Sequence, residues 1–221
     1  PVTIRLSVQQ ILLGVTLGIL LGIIAAMKRG TLWDKLILVF SMVLVSLPSL
    51  VISLLLQKYC ANGNLLDLPI IGWPKGDELW FGGWEYTILP TIAGACSFIA
   101  YYSRLTKTSM LESINQEYTL TARAKGLSEI KIVMNHVVRN SFIPIITVLP
   151  TTVASILTGS FVVEKIFAIP GMGKYFVESV TNRDYTVLMG LTIFYAAIYI
   201  VMVFIVDIAY GLIDPRIKLK D

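Results

Sequence analysis

Five long apolar runs limit what this chain can become. They lie near residues 3–27, 35–57, 86–106, 138–160 and 187–212. A helix rises 1.5 Å per residue, so about 20 apolar residues cover the ~30 Å of hydrocarbon in a bilayer. A soluble chain of 221 residues would spread its apolar positions at core-forming intervals instead of blocking them. Composition points the same way: 56% of residues are hydrophobic and 14% charged, against roughly 45–50% and 25% in ordinary soluble domains. The expectation is an all-α polytopic bundle of about five spans. The third run is diluted by Thr87, Thr91, Ser97, Tyr101, Tyr102 and Ser103. Polar stretches on both sides of it, Tyr59 to Trp84 and Thr108 to Asn135, argue that it crosses nonetheless.

An odd number of spans places the two ends on opposite sides, which sorts the Lys and Arg residues into two sets. Lys28, Arg29, Lys35, Arg104, Lys107, Arg123, Lys125, Lys131, Arg139, Arg216, Lys218 and Lys220 fall on one side, twelve in all. Arg5, Lys58, Lys75, Lys165, Lys174 and Arg183 make six on the other. The positive-inside rule puts the larger set in the cytoplasm, with the C-terminus inside and Pro1 outside. Trp73, Trp80 and Trp84 then sit in an outer loop beside a span, where an indole buries its ring and keeps its N–H wet. The net charge of +4 is accounted for by inner loops facing anionic lipid and cytosol. No basic patch with interleaved aromatics is present, so a nucleic-acid partner is excluded. Cys60 and Cys96 are widely separated and read as small buried thiols, without a disulfide or metal site.

The longest segment on the cytoplasmic side, Leu111 to Ser128, reads as a short surface helix. Leu111, Ile114, Tyr118 and Thr121 recur at helical spacing. Gly126 can supply the positive φ of a C-terminal cap, and Ser128 can cap a following helix. Ala122, Ala124 and Gly126 leave a shallow surface that another backbone could approach. From the residues alone, a solvated connector on the membrane surface is an equal reading.

The run Thr121-Ala122-Arg123-Ala124-Lys125-Gly126-Leu127-Ser128, with His136, Arg139-Asn140 and Pro144, resembles the coupling-loop motif of ABC importer permeases of the oligopeptide and dipeptide type. Val163-Glu164-Lys165-Ile166-Phe167, Ile169-Pro170-Gly171-Met172-Gly173, Asn182-Arg183-Asp184-Tyr185 and Asp214-Pro215-Arg216 are similar to later stretches of that family, in the same order. Leu120-Thr121-Ala122 stands where the general pattern has Glu-Ala-Ala, and Arg139 where many families have Pro, departures that resemble the peptide-type branch.

The resemblance implies the type I importer permease fold and, within it, the first of two permease subunits. It also implies an additional N-terminal span preceding this chain, which begins at Pro1 without a Met. It makes the segment at about 107–137 a coupling loop seated on a cytoplasmic ATPase, with Glu117, Thr121, Ala122, Arg123, Ala124, Lys125 and Gly126 as coupling residues. The stretch at about 161–186, bending at Pro170, Gly171 and Gly173, becomes an outer gate. Implied partners are a second homologous permease subunit forming a heterodimer, two ATPase subunits that carry ATP and magnesium, and an extracytoplasmic substrate-binding protein. The location implied is a bacterial or archaeal cytoplasmic membrane, and this chain itself is expected to bind no cofactor.

Within the spans, Thr147, Thr151, Ser155 and Thr158 form one hydroxyl stripe on the fourth, and Ser46, Ser49 and Ser53 another on the second, beside Pro48. Two readings stand: hydroxyls bonded back to the preceding turn, or a polar wall along a translocation path. Gly14, Gly18 and Gly22 make a small-residue face for helix packing. Pro48, Pro144 and Pro150 are expected to kink or hinge their helices. Asp207, deep in an apolar run, is read as pairing with an inner-loop base or meeting inner-face water, and His136 as an interfacial residue. No GxxxxGK[ST] loop, Ser-His-Asp set or metal-ligand cluster appears in the sequence. The alternatives are an ion-coupled secondary transporter or channel subunit, which calls for a midplane charge at a broken helix, and an intramembrane hydrolase, which calls for paired catalytic residues.

Overall fold

The computed structural model describes residues 1–61, 66–74 and 82–213. It is helical throughout: α1 (Val2–Met27), α2 (Leu32–Ser46), α3 (Ser49–Cys60), α4 (Glu85–Ile114), α5 (Glu117–Ala124), α6 (Glu129–Ile132), a π-helical turn (Val133–Val138), α7 (Arg139–Gly159), α8 (Phe161–Ile166), α9 (Met172–Asn182) and α10 (Tyr185–Ile213). Among the described residues the only β pairing is an isolated bridge between Ala61 and Leu68.

The apolar runs become helices, with one correction. The second run, expected as a single span, is broken between α2 and α3 into a sharply bent pair. Pro48 has no N–H to continue α2, and it drives Leu47 into an extended conformation (φ −89°, ψ 123°). Among the described residues, three helical stretches, Val2–Met27, Glu129–Val153 and Tyr185–Ile205, are long and apolar enough to cross a membrane, and the bent pair is a fourth, broken candidate. The third run lies inside α4, whose 30 residues extend about 45 Å. It is long enough to cross, but its hydroxyls and basic end leave it less apolar than the three stretches above. Pro144 and Pro150 lie inside a continuous α7, preceded by the π-helical turn.

The chain divides into two compact units. The first comprises Leu12–Leu47 and Cys96–Val148. Here α1 presses on α4 through its small-residue face: a Cβ at Gly18 would overlap Tyr102 and the Ile99 carbonyl, and one at Gly22 would overlap Thr106 and the Ser103 carbonyl. α2 is tied to the same helix by a hydrogen bond from Ser41 to Ser103 (3.3 Å) and an ion pair between Asp34 and Lys107 (2.5 Å). Ala26, Met110, Ala122, Ile132 and Val137 close a small apolar core at the connector end.

The second unit comprises Pro1–Ile11, Pro48–Ala95 and Leu149–Asp221. Gln10 donates its amide to the Pro90 carbonyl (3.1 Å) and fills the space a side chain at Gly94 would need. Gln57 donates to the carbonyls of Ile70 and Ile166, each at 3.1 Å. The Arg5 guanidinium lies over Trp73 and Trp84, 5.5 and 5.4 Å from the ring centres, and donates to the Gly82 carbonyl. This corrects the tryptophan belt at one position: Trp73 is only 6% exposed and packs inside the unit, whereas Trp84 is 54% exposed. Trp80, the Asp207 side chain and Asp214-Pro215-Arg216 lie outside the described residues.

Candidate functional site

Two segments concentrate unusual backbone geometry. The first connects α4 to α7. α4 runs on to Ile114, so Leu111 and Ile114 belong to its last turn, and the separate surface helix is the eight-residue α5 rather than the whole of Leu111 to Ser128. Gln116, in extended conformation, opens it.

A Schellman turn closes α5. The Leu127 N–H donates to the Ala122 carbonyl (3.4 Å), the Gly126 N–H donates to the Arg123 carbonyl (2.9 Å), and Gly126 takes φ +79°. The apolar contact that usually accompanies this turn is present, because Ala122 and Leu127 share the core of Ala26, Met110, Ile132 and Val137. Ser128 begins α6 as expected, although its side chain makes no capping hydrogen bond. Arg123 spans the turn with two hydrogen bonds to Glu129 (2.8 and 3.2 Å), which raise the guanidinium's pKa and lower the carboxyl's. From beneath, Thr119 donates to the Ser113 carbonyl (2.9 Å) and Ser141 to the Ser113 hydroxyl (3.3 Å).

The residues expected here separate by face. Glu117, Thr121, Arg123, Ala124, Lys125 and Gly126 are exposed, while Ala122 is buried and faces the chain's own core. Sequence reasoning missed two exposed apolar neighbours, Leu120 (56%) and Ile130 (71%). Their signal was an apolar residue at a position the amphipathic pattern assigns to the solvent face.

The second segment is α8, a bend and α9. α8 ends at Ile166 with Phe167 as its C-cap, Ala168 takes φ +51°, and the Ile169 N–H donates back to the Glu164 carbonyl (2.8 Å). Glu164 is fully buried and its Oε2 accepts the Gly173 N–H at 2.7 Å. Thr3 hydrogen-bonds the same carboxyl and accepts the Met172 N–H at 2.9 Å. Burial pushes the Glu164 carboxyl above its ordinary value, against those two hydrogen bonds. Gly171 and Gly173 are glycines because a Cβ at either would overlap this carboxyl, and one at Gly173 would also strike Phe161. Phe176 of α9 stacks on Phe161 (5.3 Å) and meets the edge of Tyr195 (6.2 Å). Pro170 and Gly171 thus form the expected bend, Gly173 falls in the first turn of α9, and the residue organising both is Glu164, an acid set among apolar neighbours.

The two hydroxyl stripes fare differently. Thr147, Thr151 and Ser155 are exposed along α7; Thr147 donates back to Ile143 (2.9 Å) and Ser155 to Thr152 (2.9 Å). The Thr158 side chain lies outside the described residues. The other stripe is not continuous, because the break at Pro48 leaves Ser46 on α2 and Ser49 and Ser53 on α3. Ser53 is buried and bonded to the Ser49 carbonyl (2.7 Å), and Ser46 to Met42 (2.8 Å). Among the described residues no group of His, Cys, Asp or Glu is arranged to hold a metal ion.

Residues 18–219 match the model of the binding-protein-dependent transport system inner membrane component family. The chain belongs to this family. Relatives of this permease include the dipeptide transport system permease protein DppB of Bacillus subtilis, 48% identical over 99% of this chain and 68% of the relative. The oligopeptide transport system permease protein OppB of Haemophilus influenzae is 37% identical over 99% of this chain and 69% of its own length. A solved structure of the MetNI methionine ABC transporter in inward-facing conformations superposes with a TM-score of 0.76 over 96% of this chain and 93% of the matched one, at 13% identity. The permease therefore has the type I ABC importer permease fold. Family membership favours the importer over the ion-coupled alternative, and the broken α2–α3 helix agrees, since it carries serines rather than a charge at its break.

Proposed function

We propose that this permease is one of two homologous membrane subunits of an ATP-driven peptide importer in a prokaryotic cytoplasmic membrane. Peptide as the substrate class is supported by the names of its dipeptide and oligopeptide relatives. ATP and magnesium bind the cytoplasmic ATPase subunits, and an extracytoplasmic binding protein delivers the peptide. The C-terminus is cytoplasmic, following the twelve-to-six division of Lys and Arg.

The observation that carries the mechanism is α5. Its inward face is locked by Ala122 and the Schellman turn into the chain's own core, and its outward face is bare. A short helix fixed in this way passes a rigid-body movement of an ATPase to α4 and α7, rather than absorbing it. Glu117, Thr121, Arg123, Ala124, Lys125 and Gly126 form the contact, joined by Leu120 and Ile130, and Ala122 is its anchor. The exposed hydroxyls of Thr147, Thr151 and Ser155, continued by Thr158, give a moving peptide weak polar contacts that it can leave. The α8–α9 bend at Pro170, Gly171 and Gly173 serves as the outer gate.

The test is Gly126→Trp in the transporter reconstituted into vesicles, with ATP hydrolysis and dipeptide uptake measured together. The expected result is hydrolysis retained with uptake lost and the complex still inserted. Uptake at the wild-type ratio to hydrolysis would refute the coupling role.

A further inference from the structure

A pocket of about 400 Å³ opens on the flank between α2 and α4, lined by Arg29, Leu38, Arg104, Lys107, Leu111 and Glu112 among others. Three cations, Arg29, Arg104 and Lys107, face one acid, Glu112, across its lining, so the balance is positive. Asp34 pairs with Lys107 and is also within electrostatic reach of Arg29, and among the described residues neither Arg29 nor Arg104 belongs to an ion pair. The neighbouring polar side chains are already engaged: the Thr108 hydroxyl donates to the Arg104 carbonyl (3.0 Å), and the Asn115 amide donates to that of Leu111 (3.0 Å). Two exposed guanidiniums therefore stand over an apolar floor, a donor geometry that suits the oxygens of a phosphate.

The surface beyond the pocket says which phosphate. Leu38, Met42 and Val45 follow at i, i+4 and i+7 along α2, and Met42 and Val45 are 51% and 47% exposed. On α4, Tyr101 lies one turn before Arg104 and is 43% exposed. The Ser41–Ser103 hydrogen bond sets these stretches side by side. An apolar track thus leads away from the charged end, in the direction acyl chains would take.

We propose that this pocket binds the phosphodiester headgroup of an anionic glycerophospholipid, with Arg29 and Arg104 holding the phosphate and the Met42–Val45–Tyr101 track holding acyl chain. Basic pockets between membrane helices recognise such headgroups by this combination of charge and depth. The site requires only that the chain sits in a bilayer, so it stands apart from the proposed substrate and coupling roles.

The test uses the assembled transporter in nanodiscs of phosphatidylcholine with a minority of phosphatidylglycerol, followed by detergent release and native mass spectrometry. Wild type should retain phosphatidylglycerol in preference to phosphatidylcholine. The Arg29→Gln/Arg104→Gln double variant should lose that preference by roughly tenfold or more, while Lys131→Gln keeps it. Photoactivatable phosphatidylglycerol on the wild-type complex, which needs no variant, should label peptides carrying Leu38 to Val45 and Tyr101 to Leu111. Equal retention by the double variant, or labelling confined to other peptides, overturns the proposal. Displacement by inorganic phosphate as effective as by phosphatidylglycerol would make this a free-anion site. Exclusion of the lipid when the ATPase subunits bind would make it a protein contact. Either result overturns the lipid assignment.

Discussion

Glu164 is an acid placed where an ionised carboxylate loses its water. Its side chain has no exposure, one oxygen accepts the Gly173 N–H, and the other has no hydrogen-bond partner among the described residues. Burial raises its pKa from the ordinary 4.5, so the folded protein favours the protonated form. Its contribution to stability is therefore complete below the ordinary value and is lost as pH climbs through the raised one. Glu164→Gln keeps the shape and cannot ionise. Its apparent melting temperature should stay flat over the window in which the wild type declines, and equal slopes in a thermal-unfolding series would refute this. Gly173→Ala should cost about 1–3 kcal/mol by overpacking, because the added methyl meets Phe161 as well as the carboxyl. The Pro170-Gly171 bend was visible as punctuation in the sequence. Its cause was not, since only the fold brings Glu164 beneath residues nine positions later.

At the scale of elements, α5 separates backbone demand from contact demand. Among the described residues nothing would lie within 4 Å of a Cβ at Gly126, so with respect to them the glycine is required by φ +79° alone. Asn tolerates that conformation and a β-branched residue does not. Gly126→Asn should keep most of the uptake-to-hydrolysis ratio and Gly126→Val should lose it; equal ratios would remove the left-handed cap from the account. Ala122 and Ala124 make a complementary pair. Ala122→Leu forces extra methyl groups into the core with Met110 and Val137, at about 1–3 kcal/mol, and should lower the melting temperature of the solubilised complex. Ala124→Leu lies on the bare face and should leave that temperature unchanged while weakening ATPase retention on the permease. The Arg123–Glu129 pair is exposed on both sides, and exposed pairs stabilise little. Because the carboxyl's pKa is lowered, whatever it contributes is present above the ordinary 4.5 and fades only as pH falls through the depressed value. Coupling at neutral pH should accordingly not depend on its ionisation. The Gly126 cap was legible because a positive-φ residue after a helix leaves a local mark. The inward turn of Ala122 was not, because it depends on where α1 and the π-helical turn lie.

Across the whole molecule, the apolar runs announced the helices because lipid imposes one requirement on all of them, a length near 20 residues with few charges. α4 was the least legible, since its hydroxyls are spent on packing: Ser103 bonds Ser41, and the Ser103 and Thr106 positions receive Gly22. The break at Pro48 shows the limit of composition, which registers an apolar run without its direction. Orientation is then a question about the loops, and two exposed lysines put it to the test. In a background with Cys60 and Cys96 replaced, Lys125→Cys should react with a membrane-impermeant maleimide only in inverted vesicles, and Lys174→Cys only in intact cells. Both positions are exposed in this chain, so burial inside it does not account for silence at either. Should a docked ATPase shield residue 125, stripping the ATPase subunits from inverted vesicles should restore labelling there. Labelling of both cysteines from the same face would contradict the charge-derived orientation, and with it the placement of α5 against a cytoplasmic motor.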